Sequence, residues 1–144
     1  MKKERIAVVG AGLMGHGIAQ IFAAAGHPVS IYDPVPAALA AVPERVKAIM
    51  AALDLDLSLA SNIALKATLE DVVVDAALVI EAAPEKLDLK QGIFAELDRI
   101  AAPQTILASN TSVIPIGQIA ARAKDRTRIL GTHFWNPPHY VQLV

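Results

Sequence analysis

The stretch Gly10-Ala11-Gly12-Leu13-Met14-Gly15 decides the fold that this 144-residue sequence predicts. It follows directly on the aliphatic segment Arg5–Val9, which is typical of a buried β-strand, and it opens the segment Met14–Ala25, which is typical of a helix. The G-x-G-x-x-G spacing is a weak pattern by itself, but it becomes specific when it lies between a strand and a helix. The stretch therefore predicts a strand–turn–helix unit.

A glycine turn of this kind suits a bound phosphate group. Gly10 permits the tight turn, Gly12 lets the backbone approach a pyrophosphate, and Gly15 lets the helix pack closely against the strand. The N-terminus of the helix then faces the phosphate charge. We therefore predict cofactor contacts at five residues of the turn: Gly10, Gly12, Leu13, Met14 and Gly15. The alternative is a glycine-rich turn that binds no ligand.

An acidic residue at the end of the second predicted strand indicates which dinucleotide binds. Asp33 ends the run Ile31-Tyr32-Asp33, about twenty residues beyond the glycines. A carboxylate at this point accepts hydrogen bonds from the adenosine ribose hydroxyls and repels a 2′-phosphate. No arginine or lysine follows it immediately, which favours NAD over NADP. The alternative is that Asp33 only caps the following helix.

Short aliphatic segments alternate with helical ones along the whole chain. Strands are predicted at Arg5–Val9, Val29–Tyr32, Ala64–Thr68, Ala77–Ala82, Thr105–Ser109 and Arg128–Thr132. Helices are predicted at Met14–Ala25, Ala37–Leu53, Leu69–Val73, Lys86–Ala101 and Pro115–Ala123. This alternation predicts one α/β domain over residues 1–144, of the Rossmann type: a doubly wound, mainly parallel sheet with helices on both faces.

Composition excludes several classes of function. A formal net charge of −1 argues against nucleic acid as a partner, because neutralising phosphates needs a basic face. The absence of cysteine excludes disulfides and thiolate metal sites, and we expect no metal. The uncharged run Ile6–Gly26 resembles a signal peptide or a membrane span, but its glycines, His16 and Gln20 suit neither. We therefore expect a cytoplasmic protein with no membrane partner.

Three further motifs lie in a fixed order in the second half of the chain. They are the segment from Ile80 to Lys90, the segment Ser109-Asn110-Thr111-Ser112, and the segment His133-Phe134-Trp135-Asn136-Pro137-Pro138, which Val141–Val144 follows. Their order and spacing resemble the NAD-binding domain of the 3-hydroxyacyl-CoA dehydrogenase family, and the resemblance covers the whole chain. The family oxidises a 3-hydroxyl group to a 3-keto group with hydride transfer to NAD.

The resemblance implies a role for individual residues. Ser112 matches the serine that hydrogen-bonds the substrate hydroxyl, and His133 matches the general base that takes its proton. Histidine suits that task, because its pKa lies close to the working pH. Both residues follow predicted strand ends, where open α/β sheets bind ligands. Four polar residues match cofactor contacts: Glu85, Lys90, Asn110 and Asn136.

Each of these residues also has a purely structural interpretation. Ser112 could cap the helix near Pro115 or be an ordinary loop serine, and His133 could be a buried, hydrogen-bonded histidine. Glu85 and Lys90 could be solvated charges at a helix start. Trp135 is expected to fill the core, without a functional role.

The sequence departs from the family pattern at its end. The family's histidine is oriented by a glutamate twelve residues later, which would be the residue after Val144, and its helical second domain forms the dimer. Tyr140–Val144 is apolar and strand-like, without a turn pattern. We expect the chain to be a fragment of a longer protein that forms a homodimer through the missing domain. The fragment itself should bind NAD but turn over its substrate weakly or not at all.

We expect a small-molecule substrate, and its chemical class stays open. Family members that take coenzyme A have a basic helical hairpin after the second strand, whereas the matching stretch here, residues 43–56, is short, alanine-rich and ends acidic. Such a stretch suits a ligand with several phosphates poorly. The alternatives to a 3-hydroxyacyl-CoA are a small non-CoA hydroxy acid (a sugar acid or a carnitine-like compound), or no substrate at all, in a non-catalytic NAD-binding module.

Overall fold

A parallel sheet of six strands forms the centre of the fold in the computed structural model, which describes residues 3–144. Met1 and Lys2, which the predicted domain includes, lie outside the described residues. The strands are β1 (Arg5–Val9), β2 (Val29–Tyr32), β3 (Ile63–Lys66), β4 (Ala76–Glu81), β5 (Ile106–Ser109) and β6 (Ile129–Gly131). Their order across the sheet is β3-β2-β1-β4-β5-β6. The strand order therefore reverses between β1 and β4, which is where open α/β sheets form a ligand crevice.

Helices cover both faces of this sheet. They are α1 (Leu13–Ala24), α2 (Pro36–Ala40), α3 (Val42–Ala52), α4 (Leu69–Val73), α5 (Leu87–Ile100) and α6 (Ile116–Ile119), with 3₁₀ turns at Leu57–Asn62 and Ala120–Arg122. Successive side chains of β1 point to opposite faces. Ile6 and Val8 pack into a core with α1 and α3, and Ala7 and Val9 pack into a core with α4, α5 and α6. The predicted Rossmann-type architecture is confirmed.

The predicted strands are all present, with ends that differ by two residues at most. They were predictable because strands buried on both faces are continuous aliphatic runs. The predicted helix Ala37–Leu53 is wrong as a single element, because it divides at Ala41 into α2 and α3. Pro43 is the reason: a proline lacks the backbone N–H and is tolerated only in the first helical turn, so a new helix begins at Val42.

Two other helical segments differ from the prediction. The helix predicted at Pro115–Ala123 is a single turn, α6, followed by a 3₁₀ turn. The 3₁₀ turn at Leu57–Asn62 was not predicted; the Asp56 side chain caps it by accepting a hydrogen bond of 2.8 Å from the Ser58 amide. Single helical turns are too short to show a periodicity, so their pattern is difficult to distinguish from a loop.

The predicted strand-like segment Tyr140–Val144 is not a strand: residues 138–140 form a turn, and residues 141–144 have no regular secondary structure. The amides of Tyr140 and Val141 donate to the Pro137 carbonyl oxygen at 3.1 and 3.0 Å, because two successive prolines bend the chain. Trp135 is 51% exposed, so its predicted place in the core is also wrong. Its ring packs beside the His133 imidazole, with 5.5 Å between the ring centroids.

In the part of the chain that the structure describes, the longest helices are too short or too polar to cross a membrane.

Candidate functional site

The glycine turn lies at the point where the strand order reverses. The Gly10 amide donates to the Tyr32 carbonyl oxygen at 2.8 Å, and the Ala82 amide donates to the Val9 carbonyl oxygen at 2.7 Å, so the turn is joined to both neighbouring strand ends. Gly10 has φ +106°, and a Cβ there would lie 2.6 Å from the Ala82 carbonyl oxygen. A Cβ on Gly15 would lie 1.8 Å from the Gly10 carbonyl oxygen. Any side chain at either position would force β1, β4 and α1 apart.

Gly12 is different, because its surroundings are open. It is the N-cap of α1, no side chain caps it, and a Cβ there would meet nothing within 4 Å. The first amides of a helix have no partner inside the helix. Leu13, which is 63% exposed, and half-buried Met14 begin this helix and line a cleft beside the glycine turn. An exposed, uncapped helix N-terminus with space in front of it fits a diphosphate group.

Asp33 lies beside the glycine turn and is fixed by two backbone amides. Its Oδ2 accepts from the Ala11 amide at 2.7 Å, and its Oδ1 accepts from the Val35 amide at 2.8 Å. The N-cap of α2 is Val35, so the interpretation of Asp33 as only a helix cap is wrong. Each carboxylate oxygen has two lone pairs, and each can accept a further bond from a ribose hydroxyl.

A cleft of about 670 Å³ joins these features. Its walls are the glycine turn, the end of β2 with Asp33, and the segment Ala82-Ala83-Pro84 after β4, together with apolar side chains of α4 and α5. An apolar cleft with a few fixed polar groups is typical of a nucleotide site. The residues present therefore fit the adenosine diphosphate portion of NAD.

Ser112 and His133 come together at the same edge of the sheet. The Oγ atom of Ser112 lies 2.9 Å from Nε2 of His133. The cause is the register of the last two strands, since Ser109 at the end of β5 pairs with Gly131 at the end of β6. Both residues line a cavity of about 340 Å³. The N-cap of α6 is Pro115, so Ser112 does not cap that helix.

The two asparagines predicted at the cofactor lie in this region. The Asn110 side chain accepts a hydrogen bond of 2.8 Å from the Phe134 amide, and the Asn110 backbone amide donates to the Glu81 carbonyl oxygen at 2.8 Å. Asn110 therefore joins the two loops on which Ser112 and His133 lie. Asn136 is exposed and precedes a cis peptide bond to Pro137.

Lys90 is buried inside a group of acidic side chains, so it is not a solvated charge. It is 1% exposed, and its Nζ lies 2.7 and 3.0 Å from the two carboxylate oxygens of Glu81 and 3.2 Å from Oε2 of Glu85. Glu81 is fully buried at the end of β4 and also accepts 2.6 Å hydrogen bonds from Ser109 Oγ and from the Ala83 amide. Every oxygen of this buried carboxylate therefore has a donor.

Glu81 and Ser109 were not among the predicted site residues. A glutamate at the end of an otherwise apolar strand, with a lysine nine residues later, is the pattern that could have indicated a buried ion pair. Such a carboxylate is found inside a protein only when it is paired.

Glu85 connects this ion pair to the loop after β5. Its Oε1 accepts hydrogen bonds from the Ser112 amide at 3.0 Å, from the Val113 amide at 3.3 Å and from the Thr111 hydroxyl. Partial burial alone would raise the pKa of the Glu85 carboxyl, but the bonds from Thr111 and Val113 and the charge of Lys90 outweigh it and lower the pKa. Glu85 is therefore a carboxylate at neutral pH.

Among residues 3–144, no group of three or more histidine, aspartate or glutamate side chains is placed to hold a metal ion.

Comparisons with known proteins give a consistent result. Residues 5–144 match the family described as 3-hydroxyacyl-CoA dehydrogenase, NAD binding domain. L-carnitine dehydrogenase of Streptomyces griseus is 39% identical over 146 residues, which cover 98% of this chain and 43% of that protein. A 3-hydroxybutyryl-CoA dehydrogenase of Mycobacterium tuberculosis is 40% identical over 149 residues, which cover 98% of this chain and 52% of that protein.

A solved structure is similar over the same region. The crystal structure of FadB2 from Mycobacterium tuberculosis superposes with a TM-score of 0.86 at 40% identity, covering 95% of this chain and 51% of that one. The chain thus spans about half the length of the relatives that it matches.

Proposed function

The chain belongs to the 3-hydroxyacyl-CoA dehydrogenase family, whose NAD-binding domain it matches over residues 5–144, and from this membership we propose the reaction that it serves. In that reaction a 3-hydroxyl group is oxidised to a 3-keto group while NAD is reduced. The observation that supports this best is the 2.9 Å contact between Ser112 Oγ and His133 Nε2, at the same sheet edge as the nucleotide cleft. The predicted family and its cofactor, NAD, are both confirmed by the family match.

The two side chains divide the proton transfer between them. Ser112 Oγ hydrogen-bonds the substrate hydroxyl and holds it against His133. As the C3–H bond breaks, the hydroxyl proton moves to Nε2 of His133, and the C–O bond becomes a carbonyl. NAD, when bound, supplies the acceptor for the hydride and its two electrons. The protein's own task is therefore to position the hydroxyl and accept one proton.

The cofactor contacts are proposed from the geometry of the cleft. The Gly12–Met14 amides would hold the diphosphate, with Gly10 and Gly15 shaping the turn, and Asp33 would hold the adenosine ribose. For the nicotinamide end, the polar residues that the family pattern indicates are Glu85, Lys90, Asn110 and Asn136. Lys90 is buried and its ammonium is held by carboxylates, so we expect it to act through Glu85.

For the whole protein we propose a homodimer in which a second, helical domain completes the substrate pocket. We also propose a cytoplasmic location, because a cysteine-free sequence suits a reducing compartment.

A 3-hydroxyacyl-CoA is the first candidate substrate, from the family and from the named activity of the mycobacterial relative. A small hydroxy acid without coenzyme A is the second candidate. It is favoured by the segment after β2, where exposed Asp54 and Asp56 follow the 11-residue helix α3, and by the similarity to an L-carnitine dehydrogenase. Negative charge there would repel the phosphates of coenzyme A.

Activity assays of the whole protein separate these candidates. Acetoacetyl-CoA reduction by NADH, without turnover of free acetoacetate or carnitine, would support the first candidate, and the reverse would support the second. His133→Ala should abolish turnover on either substrate while NAD binding is retained, with His27→Ala, a half-buried histidine outside the proposed site, as the control. Full activity in His133→Ala would contradict the proposed reaction.

A further inference from the structure

Glu85 lies between the large cleft at the glycine turn and the smaller cavity beside His133. Its neighbour Pro84 lines the large cleft, and the residues that Glu85 contacts, Thr111, Ser112 and Val113, line the smaller cavity with His133. A single carboxylate therefore touches the loop on which the proposed catalytic serine lies, 27 positions away in the sequence.

Thr111 is buried, but the two residues that follow it in this loop have little burial to hold their position. Ser112 is exposed and Val113 is 79% exposed, so burial of apolar surface does little to fix them. Their two amides both donate to Oε1 of Glu85, at 3.0 and 3.3 Å. Hydrogen bonds to a charged acceptor are stronger than bonds to a neutral one, so this carboxylate is a strong restraint on the Ser112 backbone.

The other side of the Glu85 carboxylate is fixed as well. Its Oε2 lies 3.2 Å from the Lys90 ammonium, which the buried carboxylate of Glu81 holds from β4. The orientation of Glu85 thus depends on two groups that are almost completely buried. The restraint on Ser112 is therefore transmitted from the rigid centre of the sheet to an exposed loop.

We propose that Glu85 is a positioning residue for Ser112: it fixes the backbone at 111–113 so that Ser112 Oγ meets His133 Nε2. This role rests on the proposed function, in which that pair handles the substrate hydroxyl. It is distinct from any contact between Glu85 and the cofactor, because it operates in the NAD-free protein.

The first test is NMR spectroscopy of the isotope-labelled chain without NAD. In Glu85→Gln and Glu85→Ala, the amide proton resonances of Ser112 and Val113 should move upfield because the charged acceptor is lost, and the His133 ring nitrogen resonances should shift. Glu96→Gln is the matched control, an exposed glutamate that pairs with Arg99 on α5. Resonances of Ser112 and Val113 that stay as in the control would overturn the proposal.

A pair of variants at Thr111 tests the same contact without changing Glu85. Thr111→Ser keeps the hydroxyl that donates to Glu85 and accepts from the Ile114 amide, whereas Thr111→Val keeps the shape and loses both bonds. The Ser112 amide resonance should shift in the valine variant and should stay in its original position in the serine variant. Equal spectra for the two variants would count against the restraint.

Kinetics of the whole protein complete the test. In Glu85→Gln, kcat should fall at least tenfold while the KM for the 3-hydroxy substrate changes less than threefold, because the serine is misplaced and the pocket remains. A changed NAD affinity with unchanged kcat and unchanged Ser112 resonances would mean a cofactor contact only and would overturn the proposal. If the unmodified protein oxidises no 3-hydroxy compound, the proposed function fails, and the NMR result still decides whether Glu85 positions Ser112.

Discussion

Ser112 and His133 are 21 positions apart in the sequence, and their side chains meet because the strands before them end side by side. Ser109 pairs with Gly131, so the loops that follow leave the sheet at the same edge. The Asn110 side chain then links the two loops, and the Glu85 carboxylate holds the loop that carries Ser112. The register of the parallel strands therefore brings the two residues close together, and hydrogen bonds from polar side chains hold the loops in place.

Replacement of Asp33 should remove the predicted preference for NAD over NADP. Asp33→Ala loses the predicted acceptor for the ribose hydroxyls, a hydrogen bond to a charged group that contributes about 1.5–3 kcal/mol. NAD affinity should therefore fall about 10- to 100-fold, and NADP should bind as well as NAD because the charge that repels its 2′-phosphate is gone. Calorimetric titration with both nucleotides measures this, with the exposed variant Glu44→Ala as control. Retained discrimination in Asp33→Ala would contradict the role of Asp33.

Gly12 and Gly92 offer a matched test of the phosphate site. A Cβ at either position meets nothing within 4 Å, so neither alanine variant should clash. Gly92→Ala lies inside helix α5 and should stabilise the protein by about 0.5–1 kcal/mol without changing NAD affinity.

Gly12→Ala should also fold normally, because its φ of −67° is open to alanine. Its methyl group, however, would stand where the backbone must approach the diphosphate, and NAD affinity should fall at least tenfold, about 1.4 kcal/mol. Thermal unfolding and calorimetry on both variants decide this. A Gly12→Ala protein that binds NAD as tightly as the unmodified chain would place the diphosphate elsewhere.

The fold and the ends of its strands could be predicted because they depend on local patterns. Aliphatic runs, the glycine spacing and Asp33 are each visible within a few residues of sequence. The division between α2 and α3 was also a local effect of Pro43, which the helical periodicity concealed.

The contacts of Lys90 and Glu85 could not be predicted in this way. Lys90 was assigned a cofactor contact from the family pattern, yet its ammonium is buried against Glu81 from another element. Such a pairing depends on which strand ends lie side by side, and a charge pattern on a helix start is the same for a solvated and a buried lysine. Trp135 is the opposite example: its hydrophobic side chain predicted a place in the core, but the residue is exposed and its ring packs beside His133.

Removal of Lys90 should be among the most destabilising single changes in the chain. Lys90→Met leaves Glu81 as an unpaired charge at 0% exposure, and breaking a buried pair in this way costs about 3–5 kcal/mol. The double variant Lys90→Met with Glu81→Gln should recover part of that loss, because a neutral amide is less costly to bury. Urea unfolding measures the free energy of each, with the exposed variant Lys86→Met as control. A loss below about 1 kcal/mol in Lys90→Met would contradict the stabilising role of the Lys90–Glu81 pair.

Lowering the pH should remove the contribution that a second ion pair, between Asp98 and Arg128, makes to the free energy of unfolding. The Asp98 carboxylate accepts from the Arg128 guanidinium at 2.9 Å and from the Lys124 amide at 2.7 Å. Burial alone would raise the pKa of the Asp98 carboxyl, but these bonds outweigh it and lower the pKa below its ordinary value. The unfolded state therefore binds its proton at a higher pH than the folded state does.

The sign of the pH dependence follows from that difference. The stabilisation is complete above the unfolded pKa of aspartate, about 3.9, and it is lost as the pH falls through the lower folded pKa. The gap in unfolding free energy between the unmodified chain and Asp98→Asn should be largest at neutral pH and should shrink below about pH 4. Urea unfolding of both proteins across this range measures the gap. Arg128→Met, which breaks the same pair from the other side, should show the same trend, and a gap that stays constant down to the acid transition would mean that Asp98 keeps its ordinary pKa in the folded protein.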